Sequence, residues 1–379
     1  MNPVPSVLTA NPLDAAWADL AWNRTITKLT RTSQRIGDTF PHVSRQGRYD
    51  SAAPQWWTAG FWPGLLWLAY RDTQDTRFSR LAESCELQLD AVLQGFDSLD
   101  HDTGFIWSLT AVAHYKLLGG EESRRRGLHA ASILASRFNL SGRFIRAWNY
   151  DKTGWAIIDC MMNLPLLYWA SETIGDPRFA HIANAHAEMV LKNFVRADGS
   201  CRHIVSFDPH TGAFIEAFGG QGYAPDSAWA RGASWALHGF ALAYRYTRLP
   251  QFLEASRRVA DFFLASLPAD GVPPWDFRAP QGPDTPLDSS AGACAASGLL
   301  ELARLVPAAD AEKYRSGGAA LVRALDRKCG AWDQDEEGLL LSATGHKPEG
   351  SNINVPLIYG DYYFVEAVSK LRGQVPTFW

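Results

Sequence analysis

Cysteine is scarce in this chain, and the few cysteines present form no recognisable pattern. Only five of the 379 residues are cysteines, an odd number, and no two of them make a C-x-x-C pair. Disulfide frameworks and cysteine-based zinc sites both rely on regular spacings. We therefore expect neither disulfides nor a bound metal. A reducing compartment fits better, which predicts a cytoplasmic location.

Long hydrophobic runs and blocks of positive charge are also missing. No apolar stretch reaches the roughly 18 residues that span a bilayer, and residues 1–22 lack the basic start and apolar core of a signal peptide. There are 36 Lys and Arg against 40 Asp and Glu, and no basic cluster suggests nucleic acid as a partner. We expect a soluble monomer or weak homodimer that binds neither membranes nor nucleic acid.

Tryptophan, by contrast, is abundant and is placed beside glycine and polar residues. The 15 tryptophans include those in QWWTAGFW (55–62), AWNYDKTGW (147–155) and SAWARGASW (227–235). An indole combines a flat apolar face with a polar edge, which suits the C–H faces of sugars. So many indoles beside loops predict an aromatic-lined cleft.

Six nearly apolar segments, each with a polar or glycine-rich start, alternate with six amphipathic segments. Trp57–Arg71 and Trp229–Arg245 share a W-x-x-G start and an L-A-Y-R end. The apolar segments begin near residues 57, 101, 159, 229, 289 and 357, and the amphipathic ones are 13–30, 77–93, 122–138, 178–194, 252–267 and 310–327. Helices that are apolar all round are buried, whereas amphipathic helices face water on one side.

This alternation predicts an all-α protein. The simplest closed arrangement is an (α/α)6 barrel, with six inner helices inside six outer ones, and it accounts for residues 1–379 as a single domain. An open solenoid is the competing arrangement, but it would need polar capping repeats. Three connections, 141–154, 195–227 and 268–290, are long enough to indicate a function. The second predicts a hairpin with DPHTG as its turn.

The polar residues of the apolar segments lie at their starts, which meet at one end of such a barrel. This places six side chains at a common mouth: Asp102, Asp159, Asn163, Ser227, Arg231 and Ser290. Asp159 lies in IIDCMMNLPLLYW, where a lone carboxylate is costly unless it has a partner or a task. Pro165 is tolerated in the first turn of a helix, so Asp159 lies at or before the start. It is therefore either an N-cap or a catalytic group.

Two converging carboxyl groups favour the catalytic interpretation. Asp102 alone is more easily explained as a helix cap, but a pair can keep one member protonated because like charges oppose ionisation of both. A protonatable carboxyl is what acid–base chemistry on sugars requires. Arg231 either forms a structural ion pair or binds a carboxylate of the substrate. His203 and Gln221, in the long loop, are individually weak signals.

Several motifs occur in the order found in one enzyme family. WTAGFWPGLLWLAY, HDTGF, DCMMNLPLLYWAS, DSAWARGASWALHGFALAYRYT and LIYGDYYFVEA resemble the unsaturated glucuronyl hydrolases of glycoside hydrolase family 88, from about Trp57 to the C-terminus. The resemblance implies an (α/α)6 barrel. It also implies hydrolysis, without metal or organic cofactor, of the unsaturated uronate at the end of oligosaccharides made by polysaccharide lyases.

The resemblance implies roles for individual residues. Asp159 is the implied general acid/base, which protonates C4 of the C4=C5 double bond and activates water for attack at C5, and Asp102 is its partner. His203, Gln221, Arg231 and Trp235 are implied around the uronate, and Trp57, Phe61, His101 and Trp148 along the sugar subsites. Tyr359 and Gly345 depart from the family pattern. The alternatives are an unsaturated rhamnogalacturonyl hydrolase, an (α/α)6 sugar epimerase and a non-catalytic glycan-binding protein.

Overall fold

Twelve helical segments, six inner and six outer, make up most of the computed structural model, which describes residues 12–374 and 378–379. The outer helices are α1 (Pro12–Ile36), α3 (Thr76–Gln94), α6 (Glu121–Ser136), α8 (Arg178–Asn193), α10 (Pro250–Ser266) and α12 (Ala308–Cys329). The inner helices are α2 (Phe61–Thr73), α4 (Thr103–Leu109) with α5 (Ala111–Leu118), α7 (Leu164–Ile174), α9 (Ala230–Thr247), α11 (Ser289–Ala303) and α13 (Ile358–Leu371). Every predicted segment is confirmed as helical.

The inner helices form a closed ring. Each packs against the next in chain order, and α13 packs against α2, which joins the two ends. All residues of α11 and α13 are buried, whereas α3 buries only the face that includes Phe78, Ala82 and Leu89. The (α/α)6 barrel is therefore confirmed, and the open solenoid is not.

One inner helix is interrupted where the sequence predicts continuity. Thr110, at φ −111° and ψ −94°, separates α4 from α5. Its hydroxyl donates to the carbonyl oxygen of Ile106 at 2.8 Å. Such a bond often bends a helix, but α1 contains three of them, from Thr25, Thr27 and Thr32, without a break. The bond accompanies the break at Thr110 and does not alone account for it.

Small antiparallel sheets lie in the connections. They are β1 (Ser44–Arg45) with β2 (Arg48–Tyr49), β3 (Phe138–Asn139) with β4 (Phe144–Ile145), the three-stranded β5 (Trp155–Ile157), β6 (Ile204–Phe207) and β7 (Phe214–Phe218), and β8 (Ala343–His346) with β9 (Ser351–Val355). The predicted hairpin is β6–β7. The carboxylate of Asp208 holds its turn by accepting from the backbone N–H groups of His210 and Thr211.

Two predictions concern membrane-spanning helices and a signal peptide. Within residues 12–374 and 378–379, no helix is both long and apolar enough to cross a bilayer. Residues 1–11, half of the stretch in which we predict no signal peptide, lie outside the described residues.

Candidate active site

A cavity lies where the inner helices begin. Seven residues predicted from the sequence line it: Trp57, His101, Asp102, Trp148, Asp159, Gln221 and Arg231. They come from the starts of different inner helices and from the long connections between them. The sequence predicts that the polar residues at the starts of the apolar segments meet at one end of the barrel. Asp102, Asp159 and Arg231 do meet there.

Asp159 is held by backbone structure and left free at its carboxylate. Strand β5 pairs with β6 so that Ile157 lies opposite Ile204, and the N–H of Ile158 donates to the carbonyl oxygen of His203 at 3.0 Å. The chain then makes a tight turn, Ile158–Met162, that carries Asp159. Among the described residues, its Oδ2 has no hydrogen-bond partner although it is buried. Asp159 caps neither this turn nor α7, which decides against the N-cap interpretation.

Asp102 occupies the N-cap position of α4, but Asn163 supplies the cap. The Oδ1 of Asn163 accepts from the backbone N–H of Phe105 at 2.6 Å, and its Nδ2 donates to Asp102 Oδ1 at 3.3 Å. No cap bond from the Asp102 side chain exists in the described structure. Gly104 allows this approach, since a Cβ there would lie 2.4 Å from the Cα of Asn163. The glycine of HDTG thus brings the two aspartate-bearing segments together.

Burial raises the pKa of both carboxyl groups. The pKa of Asp159 is raised to about 7, first because burial penalises the anion and second because Asp102 is close, against opposing effects of His101 and Arg231. The pKa of Asp102 is raised well above its usual range by burial and then by the charge of Asp100. Both groups are therefore held towards the protonated form that a general acid requires.

His101 lies between a backbone carbonyl group and Asp102. Its Nδ1 lies 2.8 Å from the carbonyl oxygen of Ala147, which can only accept, so Nδ1 carries a hydrogen. The Nε2 of the same ring faces Asp102 Oδ1 at 3.3 Å. The contact with Ala147 therefore fixes the ring beside the carboxyl group of Asp102.

His203 faces the other aspartate. Its Nε2 lies 3.7 Å from Asp159 Oδ2, and burial lowers its pKa to about 3, so the ring is neutral. The backbone N–H of Gln221 lies 2.9 Å from Nδ1 of the same ring. Gly220, at φ +56°, makes this contact possible because a Cβ there would lie 2.3 Å from Nδ1. The FGGQGY sequence thereby fixes Gln221 against His203, and His203 in turn faces Asp159.

Comparison with known proteins identifies the family. A family model described as Glycosyl Hydrolase Family 88 matches residues 31–269. The chain belongs to this family. Among relatives, an unsaturated glucuronyl hydrolase of Bacillus sp. (strain GL1) is 38% identical over 358 residues, covering 92% of this chain and 95% of the relative. An unsaturated chondroitin disaccharide hydrolase of Streptococcus pyogenes serotype M1 is 35% identical, covering 85% and 83%.

Solved structures agree with this assignment. The crystal structure of the unsaturated glucuronyl hydrolase from Bacillus sp. GL1 matches with a TM-score of 0.90 and 36% identity, over 93% of this chain and 96% of that one. That of an unsaturated glucuronyl hydrolase from Streptococcus agalactiae matches with a TM-score of 0.91 and 29% identity, over 100% and 98%. Membership of family 88 makes this chain a glycoside hydrolase and favours hydrolysis over epimerisation or glycan binding alone.

Three predicted substrate-binding residues of this family-88 chain do not line the cavity: His203, Phe61 and Trp235. His203 faces Asp159, and the other two lie beneath the cavity. Phe61 is fully buried with its ring centroid 5.8 Å from that of Trp57. Trp235 is 1% exposed and packs 5.4 Å from Phe105, which in turn packs 5.7 Å from Trp57. They support the floor on which Trp57 lies. Of the other predicted mouth residues, Ser227 bonds to Asp276 and Ser290 to Asp288.

Sequence reasoning missed one whole wall of the family-88 cavity. The residues it did not predict there are His42, Trp56, Ile157, Gly345, His346, Glu349, Ser351, Asn352 and Tyr359. Five of them belong to the β8–β9 hairpin and its loop. The polar, glycine-containing stretch ATGHKPEGSN between two apolar segments was the available signal. Tyr359, noted only as a departure from the family, packs at a tilt against Trp57, with ring centroids 4.8 Å apart.

One group of side chains has the composition of a metal site. Ligand atoms of Asp100, His101 and Asp102 lie within 4.8 Å of one another. Their bonds are already directed elsewhere, because Asp100 Oδ1 accepts from the backbone N–H of Asp102 and His101 Nδ1 donates to a carbonyl oxygen. The group is accounted for by hydrogen bonds within the protein, and we keep the prediction that catalysis uses no metal or organic cofactor.

Proposed function

We propose that this chain hydrolyses oligosaccharides whose non-reducing end is a 4-deoxy uronate with a C4=C5 double bond. One observation carries the proposal: the Oδ2 of Asp159, a carboxyl group with a pKa raised to about 7, is left without a protein partner at the cavity. Acid–base catalysis requires a group that can hold a proton near neutral pH and is within reach of substrate. Asp102 is tied to Asn163 and His101 and is the less available of the two.

The reaction begins as a hydration of the double bond. The carboxylic acid of Asp159 gives its proton to C4, and positive charge develops at C5 beside the ring oxygen. The Asp159 carboxylate then takes a proton from water as the water oxygen bonds to C5. The product is a hemiketal at C5, which opens to a ketone. The hemiacetal left at C1 breaks down and releases the next sugar, so one water is consumed overall.

Asp102 tunes the proton affinity of Asp159 in this scheme. An ionised Asp102 raises the pKa of Asp159 because like charges oppose ionisation. His101, which lines the cavity, lies 3.3 Å from Asp102 Oδ1 and so is placed beside both the partner carboxyl group and the substrate.

The aromatic and amide side chains bind the sugars. We assign Trp57 and Trp148, which line the cavity, to the sugar faces, and Gln221 and His203, which flank Asp159, to the uronate. Phe61 and Trp235 act through the floor that supports Trp57. Arg231 is placed beside Gln221.

The substrate class follows that of the relatives. Relatives include unsaturated chondroitin disaccharide hydrolases. Solved structures include a UGL variant with dGlcA-Glc-Rha-Glc and, separately, a variant of the unsaturated glucuronyl hydrolase from Streptococcus agalactiae with dGlcA-GalNAc6S. We propose unsaturated glucuronyl oligosaccharides as substrates in preference to rhamnogalacturonan fragments. A cytoplasmic monomer or weak homodimer remains our prediction for location and assembly.

The test is loss of the ultraviolet absorbance of the conjugated C4=C5 uronate. Purified protein is given unsaturated disaccharides from chondroitin, hyaluronan, gellan, pectin and ulvan digests. We expect turnover of at least one glucuronyl substrate, reduced by about 10²–10⁴-fold in Asp159→Asn. Asp75→Asn, at a helix cap on the outer ring, is the matched control and should keep its activity. A folded wild type that leaves every absorbance unchanged would refute the proposal.

A further inference from the structure

The edges of the Arg231 guanidinium are occupied by protein. Its Nη1 donates to Asp288 Oδ2 and to the carbonyl oxygen of Thr344, both at 2.6 Å. Its Nη2 donates to Gln221 Oε1 at 2.9 Å and to the carbonyl oxygen of Gly345 at 2.6 Å. Each terminal nitrogen carries two hydrogens, so these four close partners match the four terminal donors, and the Oγ of Ser290 also lies 3.5 Å from Nη1.

Two aromatic rings lie against the same guanidinium. The ring centroids of Trp229 and Tyr359 lie 4.7 and 5.4 Å from the central guanidinium carbon. Only 2% of Arg231 is exposed, and its charge is paired with that of Asp288, which is fully buried. A bidentate grip on a substrate carboxylate would have to break two of the four bonds and leave buried acceptors unpaired, which is costly.

We propose that Arg231 is a positioning residue that latches the β8–β9 hairpin and aims Gln221, and that it does not grip the substrate carboxylate itself. This inference rests on the proposed function, since it concerns how the uronate of that substrate is held. It separates two roles that an arginine beside an active site can have.

The contact with Gln221 fixes the orientation of its amide. Because Oε1 accepts from Arg231, the NH2 group of Gln221 is directed away from the guanidinium. The opposite orientation would set N–H donors of both groups against each other. Gln221 lines the cavity, and its backbone is held by His203. It therefore offers the uronate a neutral double donor whose direction Arg231 sets.

The two carbonyl contacts fix the start of the hairpin. Thr344 and Gly345 belong to β8, and Asp288 joins them to α11 because it accepts from Arg231 and caps that helix at Ser290. The hydroxyl of Thr344 also donates to the carbonyl oxygen of Leu287 at 2.7 Å. The rest of the hairpin supplies a wall of the cavity, with His346 at the end of β8, Glu349 in the loop and Asn352 in β9. Arg231 thus holds one wall of the cavity against the inner helices.

The kinetic test compares Arg231→Lys with wild type on an unsaturated disaccharide and on its uronate methyl ester. Lysine keeps the charge but cannot form four planar bonds. We expect KM to rise about tenfold with kcat changed by less than about threefold, and the same ratio on the ester. A direct grip requires the carboxylate, so loss of the effect on the ester would overturn the proposal. Arg245→Lys, on the same helix but bonded to Glu301, is the control and should leave KM unchanged.

Hydrogen exchange without substrate provides a second, independent readout. A latch predicts faster exchange of the amides of residues 342–346 in Arg231→Lys than in wild type or Arg245→Lys. Unchanged exchange there would refute the latch. Because this measurement needs no turnover, a wild type without activity would sink the proposed function and still leave the latch tested.

Discussion

A carboxyl group surrounded by apolar side chains is the central feature at the scale of single residues. Asp159 is flanked in sequence by Ile158 and Cys160, both fully buried, and its Oδ2 faces only the distant Nε2 of His203. Burial favours the neutral acid, whereas the nearby Arg231 favours the anion, and burial is the larger effect. The balance leaves a proton available near neutral pH.

The pH dependence of activity should follow that balance. Because the pKa of Asp159 is raised to about 7, the acid form required for transfer to C4 is lost above that pH. We expect kcat/KM to fall above about pH 7, approaching about tenfold per unit of pH. A pH–rate profile checks this. Activity that stays level to pH 9 would mean that another group gives the proton.

The same shift in the pKa of Asp159 makes the stability of the folded protein depend on pH. The folded pKa of about 7 exceeds the unfolded value of about 3.9, so the unfolded state binds fewer protons between these values. The contribution of Asp159 to the free energy of unfolding is therefore lost as pH rises from about 4 to 7. Asp159→Asn has no such proton to lose.

We expect Asp159→Asn to be more stable than wild type above pH 7, and to approach or fall below it near pH 4. Thermal unfolding at both pH values measures this. The comparison variant Asp75→Ala removes a cap bond to the N–H of Arg77 and should lose about 1 kcal/mol instead. An Asp159→Asn protein that is less stable at both pH values would show that the carboxylate has a structural partner.

Only part of the residue-scale site could be predicted from sequence. Asp102 and Asp159 were found because carboxylates at the starts of apolar helices are exceptional. The role of Asn163 as the cap of α4 could not be found, since it depends on a contact between segments about 60 residues apart. Tyr359 and His42 reach the cavity from helix and loop positions that look like ordinary core and surface.

At the scale of elements, the period of the apolar pattern and the length of the segment decide whether a helix or strand can be recognised in the sequence. The helices repeat an apolar pattern over several turns, so their type and order could be read directly. Strands such as β5, with three residues, are too short for any alternation to stand out. Hairpin β8–β9 carries two asparagines with positive φ, Asn352 and Asn354, and is set by local backbone conformation and by Arg231. Its place in the wall follows from tertiary contacts alone.

The approach of α4 to the Asp159 turn gives a prediction at this scale. In Gly104→Ala the new Cβ would overlap the Cα of Asn163, which must force the two segments apart. We expect a loss of about 1–3 kcal/mol in the free energy of unfolding and a clear fall in kcat. Gly282→Ala, where nothing lies within 4 Å, is the control and should match wild type. Denaturant titration and the absorbance assay measure both effects. An active, stable Gly104→Ala would refute the proposed spacing.

At the scale of the whole molecule, closure of the ring brings the starts of the inner helices together around the cavity. Contacts of α13 with both α1 and α2 join the end of the chain to its beginning. Trp379 adds to this closure, stacking on Tyr363 at 5.9 Å within the buried aromatic centre. We propose that residues 1–379 form a single domain, as the helix count predicts.

A single domain predicts one cooperative unfolding transition. Tryptophan fluorescence and far-ultraviolet circular dichroism should report the same midpoint in denaturant, because indoles and helices are distributed around the whole ring. Two separated midpoints would contradict the proposal and indicate that part of the ring unfolds by itself.

The order of chemical events tests the central claim most directly. In a single-turnover experiment with excess enzyme, C4=C5 absorbance and the reducing end of the released sugar are followed together. Hydration at C5 predicts that absorbance is lost before, or together with, release of the sugar, and that both signals slow in Asp159→Asn. Direct attack at C1 would release the sugar while the conjugated double bond is still present. Sugar release that precedes the loss of absorbance would contradict the account.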